Sequence, residues 1–386
     1  MFDYGSLGFQ AVEAIVKILF MVLGFLMPLA SILTWLERRQ SAMMQDRLGP
    51  NRANIGPIKA WGLMHFLADA VKFIFKEDYV PSKAHKFLFM WAPIMAMAPA
   101  LIVSAIIPFG APLCWGEMRE AVGYGNVCAH PVSLQIARLD IGLLFYFAIS
   151  SLSVYGATLA GWASHNKWAM MGGLRASSQM MSYEVTMGMA VLGAFLVFGT
   201  LEPGAIVEQQ SHILSFDNYG SSWGIFMQPL GFVLFLTAAI AETKRTPFDI
   251  PEGEPEIIGY FVEYSGMRFG LFFLGEFLEI VTSSAIMISL FFGGWHWGST
   301  IDSFLAAHTP NIWFIPKGLI FSLLTIFLWS IKIFAFCMFQ LLIRWSLPRF
   351  RSDQLLRLGW QRLLPISIAN VVVTALLILV AQSWSR

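Results

Sequence analysis

The sequence predicts an all-α integral membrane protein, with eight membrane spans and an amphipathic helix on the inner face. Three observations predict it. Of its 386 residues 57% are hydrophobic and only 13% are charged, against about 25% charged in an ordinary soluble domain. Eight apolar runs approach the ~20 residues that a span requires. Lys and Arg segregate to alternate connections between those runs.

In chain order the expected spans are 11–36, 87–110, 139–163, 183–201, 228–242, 266–293, 317–342 and 360–382. The first follows Asp3 and contains Glu13, where a cleavable leader carries basic residues, and it is long and followed by Glu37, Arg38 and Arg39. It is therefore expected to stay in the membrane, with its C-terminal end inside. The fifth run is short, and the sixth is long enough to tilt strongly. Segments 37–86, 165–182, 243–268 and 343–362 hold 19 of the 25 Lys and Arg, whereas the opposite connections hold only Arg119 and Arg138. This asymmetry orients the chain with an even number of spans and both termini outside. No internal repeat divides it, so residues 1–386 are expected to form a single polytopic membrane domain.

The connection 37–86 opens on turn formers, Gly49-Pro50-Asn51 and Gly56-Pro57. Apolar residues then recur with helical period from Trp61 through Phe66, Leu67, Ala70, Val71, Ile74 and Phe75, against Asp69, Lys72, Lys76 and Glu77. That pattern fits a helix lying on the membrane surface, or one lining the entrance of a membrane-soluble ligand. Cys114 and Cys128 share the outer 111–138 connection, where a disulfide and two unpaired thiols are both compatible with the sequence. Three Cys are too few for a four-thiolate cluster, and the seven His form no i, i+4 pair, so no metal or haem site is expected in this chain. A net charge of +1 gives no reason to expect nucleic acid.

Chemistry concentrates where lipid or a membrane surface should be. Glu242, Lys244, Arg245, Asp249, Glu252, Glu254, Glu256 and Glu263 crowd the acidic inner loop 243–265 and its edge. Glu184, Glu276, Glu279 and Lys332 fall inside expected spans, with Glu276 and Glu279 on one helix face. An Asp or Lys at a span centre costs about 2.5–3.5 kcal/mol, so these residues should face the bundle interior. A single buried Glu–Lys pair can merely fix helix packing, but several carboxylates with water can pass protons. Sodium would use the same oxygens.

The motifs resemble those of the quinone-chamber membrane component of respiratory complex I, the H subunit of the bacterial NADH–quinone oxidoreductases. They are Glu37–Gln40 (ERRQ), Gln45–Arg52 (QDRLGPNR), Ala68–Asp78 (ADAVKFIFKED), Ser151–Ser164 (SLSVYGATLAGWAS), Leu174–Val185 (LRASSQMMSYEV), Ala241–Glu254 (AETKRTPFDIPEGE), Glu263–Met267 (EYSGM) and Leu347–Leu355 (LPRFRSDQL). The resemblance spans about residues 11–380. It implies a tilted eight-helix bundle in the bacterial cytoplasmic (inner) membrane, with both termini periplasmic. It also implies that this chain holds no redox centre: quinone is the substrate, and FMN and iron–sulfur clusters belong to partner subunits.

By the same resemblance Glu37, Arg38, Arg47, Asp69, Arg245, Arg344, Arg349 and Arg351 line the quinone chamber or its docking surface. Glu184, Glu242, Asp249, Glu252, Glu254, Glu256, Glu263 and Glu276 match an acidic path for protons, and Lys332 is a counter-charge. The implied partners are the peripheral quinone-site and iron–sulfur subunits, small membrane subunits, antiporter-like subunits and the lipid bilayer. The chain departs from the family pattern in four places. Segment 53–67 is longer and places His65 where Gln is usual, the run 256–263 is shorter, Glu279 replaces a usual Asn, and the 111–138 connection is enlarged. Three alternatives stand beside this expectation: the related membrane component of an ion-translocating hydrogenase, a stand-alone ion transporter, and a structural anchor for a peripheral arm. A transporter should show repeats and broken helices in matching halves, and an anchor needs no carboxylates inside spans.

Overall fold

A computed structural model describes the chain except residues 1–6, 54–59, 115–117, 122–123, 129–130, 214–221, 252, 254–256, 258, 310–316 and 385–386. Among the described residues seven helices are long and apolar enough to cross a membrane: Gln10–Met44, Lys86–Ile106, Gly142–Ala163, Lys167–Phe198, Gly266–Phe291, Gly318–Ser346 and Ser352–Ser383. The expected fifth span is the exception. It forms Pro229–Glu242, 14 residues, or roughly 21 Å of helix, which is shorter than a ~30 Å hydrocarbon core. A short helix, Gly224–Met227, precedes it, and the chain breaks at Gln228 between them. The Gln228 side chain donates to Thr374 Oγ1 at 2.7 Å and accepts from Asn370 Nδ2 at 3.0 Å, so span 352–383 satisfies the amide side chain at the break.

Helix 266–291 is central: 78% of its most apolar window is buried, against 22% for 10–44 and 318–346 and 17% for 352–383. Helices 86–106, 142–163 and 167–198 pack closely through small residues. A Cβ at Gly156 would sit 2.6 Å from the Ala96 backbone, and one at Gly173 would sit 2.9 Å from the Ala157 carbonyl.

Helix 167–198 begins 16 residues before the expected span 183–201, so most of the expected inner segment 165–182 is helical. Its ends explain the length. The Asn166 side chain caps the Trp168 N–H at 3.0 Å, and the next stop is Gly199, at φ 68°, whose N–H returns to the Phe195 carbonyl. Helix 10–44 likewise runs past its expected end at 36, through a π-helical turn at Phe20–Leu26, so Glu37 to Arg39 are helical.

The amphipathic stripe forms a helix over His65–Phe75. Phe73 packs its ring on Phe269 and Phe273 of the central helix, while Leu67, Val71, Ile74 and Phe75 stay exposed. Among the described residues the 111–138 connection carries short strands, with Leu113–Cys114 antiparallel to Pro131–Val132 and Met118–Ala121 antiparallel to Tyr124–Cys128. The side chains of Cys114 and Cys128 lie outside the described part of the chain.

Candidate functional site

The site grows from the turn that follows helix 229–242. Lys244 adopts φ 55°, a left-handed conformation that folds the chain back sharply. Gln179 of helix 167–198 holds both sides of the turn, donating from Nε2 to the carbonyls of Ala241 and Phe248, each at 2.7 Å. Segment 347–351 closes it from the other side. The Phe350 N–H donates to the Pro247 carbonyl at 3.1 Å, and the Phe248 and Phe350 rings stack at 5.4 Å. Two motifs separated by about a hundred residues are thus one structure, and their joint effect is to press Lys244 and Arg245 into the protein.

Arg245 is 5% exposed as a side chain. It donates to Glu37 Oε2 at 2.8 Å, reaches Glu276 Oε2 at 3.5 Å, and lies over the Phe277 ring at 4.1 Å. Arg344 ion-pairs with the other Glu37 oxygen. Helices 10–44, 266–291 and 318–346 therefore meet the loop in one buried charge cluster. Such a cluster is tolerable in a dry interior because each charge faces an opposite one.

One turn further along helix 266–291, Glu279 lies 3.8 Å from Lys244, whose side chain is 3% exposed. The Glu242 and Glu279 side chains line a small cavity of about 30 Å³, shared with Tyr146, Ser150, Ser153 and Thr282. Helix 142–163 is interrupted at Ser151. Ser150 lines the same cavity, and the Ser150 and Ser151 hydroxyls at this interruption donate back to the carbonyls of Phe147 and Ala148. Glu184 is close enough to Glu242 to interact electrostatically with it. The row therefore runs Glu37, Arg245, Glu276, then Lys244 and Glu279, then Glu242 and Glu184.

Other expected site residues sit apart. Arg38 pairs with Asp69 at 2.6 Å, joined by Lys72 at 3.4 Å, and so ties helix 10–44 to helix 65–75. Arg47 is exposed and donates to Gln45. Arg349 lies over Gly253 so closely that a Cβ there would meet its Nη2 at 1.9 Å. Arg351 is 80% exposed and pairs only weakly with Asp353 at 3.3 Å. Asp249 is half-buried at the end of the turn. Glu263 accepts from Asn166 Nδ2 at 2.7 Å, which places it at the start of helix 167–198 rather than on the cavity. Beside it, burial raises the Tyr264 hydroxyl well above its usual range, so it stays neutral against Phe89 and Phe272. Glu252, Glu254 and Glu256 lie outside the described residues.

Lys332 is not a counter-charge to a carboxylate of this row. Its ammonium donates to the carbonyls of Phe292, Gly294 and His296 at 2.8, 3.0 and 2.5 Å, and sits over the rings of Trp223 and Trp297. The turn after helix 266–291 presents carbonyls that the helix itself does not use, and an ammonium satisfies three of them at once. Gln179 and the serine pair left no mark in the sequence as site residues. Lys244 carried a signal only as a charge inside the motif.

The family model described as NADH dehydrogenase matches residues 16–375. One H subunit of the NADH-quinone oxidoreductase of Geobacter metallireducens is 42% identical over 347 residues, covering 90% of this chain and 91% of that one. The H subunits of the Flavobacterium psychrophilum and Bdellovibrio bacteriovorus enzymes are 40% and 38% identical, covering 93% and 98% of this chain and 95% and 100% of their own. The chain belongs to the family of NADH–quinone oxidoreductase H subunits. The buried row draws on the motifs quoted above, Glu37 in ERRQ, Arg245 in RTPFD and Glu184 in SYEV, whereas Glu279 lies outside them.

Proposed function

We propose that this membrane component of an NADH–quinone oxidoreductase forms the membrane part of the quinone chamber and couples quinone reduction to proton translocation. The observation that carries this is the continuity of the buried row. Glu37 is held by two guanidinium groups on one side, and a cavity that Glu242 and Glu279 line lies on the other, with helix 266–291 between them.

The chemistry follows from the charges. A quinone becomes a quinol by taking two electrons and two protons. The electrons come from a peripheral partner whose FMN and iron–sulfur clusters this chain does not carry. As negative charge develops on the quinone oxygens, Arg245 and Arg344 are the nearest fixed donors, and their pull on Glu37 and Glu276 weakens. Glu276 then shifts its proton demand toward Glu242 and Glu184, and the change leaves through antiporter-like neighbours. The exposed apolar edge of helix 65–75 beside helix 10–44 suits a greasy tail entering from lipid. Arg351, exposed on the same side of the chain as the 245–250 turn, suits docking of a peripheral partner. In this reading the protein lies in the bacterial inner membrane with both termini periplasmic, and Glu252, Glu254 and Glu256 belong to the same acidic path.

Glu276→Gln and Glu184→Gln in the intact enzyme test it. Both variants should assemble, and both should lose most NADH–quinone turnover and the accompanying proton gradient. Full turnover and a full gradient in both would refute the path.

A further inference from the structure

Glu279 stands in the buried row between the two halves of the path just proposed, with no proton step of its own there. Its neighbour one turn away, Glu276, faces Arg245 at 3.5 Å, whereas Glu279 itself faces Lys244 at 3.8 Å and lines the cavity together with Glu242. Its Oε2 is fully buried and faces the Lys244 ammonium at 3.8 Å, beyond hydrogen-bond distance, with no hydrogen-bond partner among the described residues. A buried carboxylate oxygen short of a hydrogen bond gains from one, and the adjoining space can supply it. About 30 Å³, walled by Pro99, Ala100 and Val103 as well as by hydroxyls and the two carboxyls, exceeds the ~10–15 Å³ that one water needs, and offers the two or more polar partners that hold it.

We propose that Glu279 is a proton-transfer residue, the carboxyl that passes protons between Glu276 and Glu242 through the cavity. The inference rests on the proton path above and adds a member to it that the shared motifs do not contain. Two carboxyls and the Lys244 ammonium are together neutral with one proton between the two acids. In each step a proton leaves one carboxyl O–H, crosses a water and binds the other carboxylate. The donor is left ionised, and no electron moves. An amide at 279 keeps the shape but accepts no proton, so the step would have to jump directly from Glu276 to Glu242.

The test uses the intact enzyme in sealed vesicles, comparing Glu279→Gln and Glu279→Asp for NADH–quinone turnover and proton translocation. The inference expects the Gln variant to lose most of its proton translocation and the Asp variant to recover part of it. Full translocation by Glu279→Gln overturns the inference. If Glu276→Gln and Glu242→Gln fail at the same time, the parent path survives; if all three translocate fully, it falls too. If Gln and Asp both fail, infrared difference spectra on quinone reduction decide. A carboxyl C=O band present in the wild type and absent in Glu279→Gln supports proton transfer, and its absence from the wild type refutes it.

Discussion

Lys244 and Lys332 both sit inside the membrane bundle, and they are held there in opposite ways. Lys244 faces a carboxylate at 3.8 Å beside a cavity, within a row of further carboxylates. Lys332 faces three backbone carbonyls and two indole rings at the far end of the same helix 266–291, roughly 24 Å along from Glu276. Backbone carbonyls cannot take or give up protons, so the Lys332 site is a fixed clasp for the turn 292–298. Carboxylates can, so the Lys244 site can change its charge state and report that change to neighbours. Burial of charge alone therefore does not distinguish the two sites. On the proposed path the distinguishing feature is burial against partners that can themselves titrate.

The comparison can be broken most severely at Arg245. Arg245→Met withdraws the partner that Glu37 and Glu276 share, and removing one member of a buried ion pair costs about 3–5 kcal/mol. The expected outcome is loss of both assembly and turnover, measured by recovery of the intact enzyme. Lys332→Met should act differently. It leaves three carbonyls with reduced hydrogen bonding, at about 1–3 kcal/mol for each group left unmet. It should lower thermal stability in detergent while the assembled enzyme keeps its turnover per mole. Loss of turnover in stable Lys332→Met enzyme would erase the distinction between the two lysines. Gly253→Ala is a smaller probe. Its Cβ would meet Arg349 Nη2 at 1.9 Å, so Arg349 must swing aside, and quinone turnover should fall by a few-fold with assembly intact. Arg351→Ala should change least: an exposed pair is worth about 0–1 kcal/mol, and only the salt sensitivity of peripheral-arm attachment should move.

Much of this was legible in the residues. Apolar run length located the seven long helices, and the i, i+3 spacing of Glu276 and Glu279 placed both on the face that meets the loop. The dense charge of 242–263 pointed to the site. What stayed illegible depended on contacts between distant segments. Span 167–198 was expected too short because Arg175 and the serines around it read as a connection, although they ride on a helix capped by Asn166. The break at Gln228 places a polar side chain inside the bundle, where Asn370 and Thr374 meet it from another span. Lys332 carried the signature of a counter-charge, since composition cannot reveal that three carbonyls converge on it. Glu263 shares the loop with Glu242, but the turn sends it to Asn166 instead.

The central claim is that the carboxylate row couples electron transfer to proton movement. The most direct measurement is the number of protons translocated per NADH oxidised by the Glu242→Gln enzyme in sealed vesicles, beside the wild type. Glu242 lies on the cavity, away from the Arg245 and Arg344 cluster, so an amide there should leave quinone binding intact. The account predicts a clear fall in that ratio, with residual NADH oxidation continuing. An unchanged ratio at wild-type turnover would contradict it.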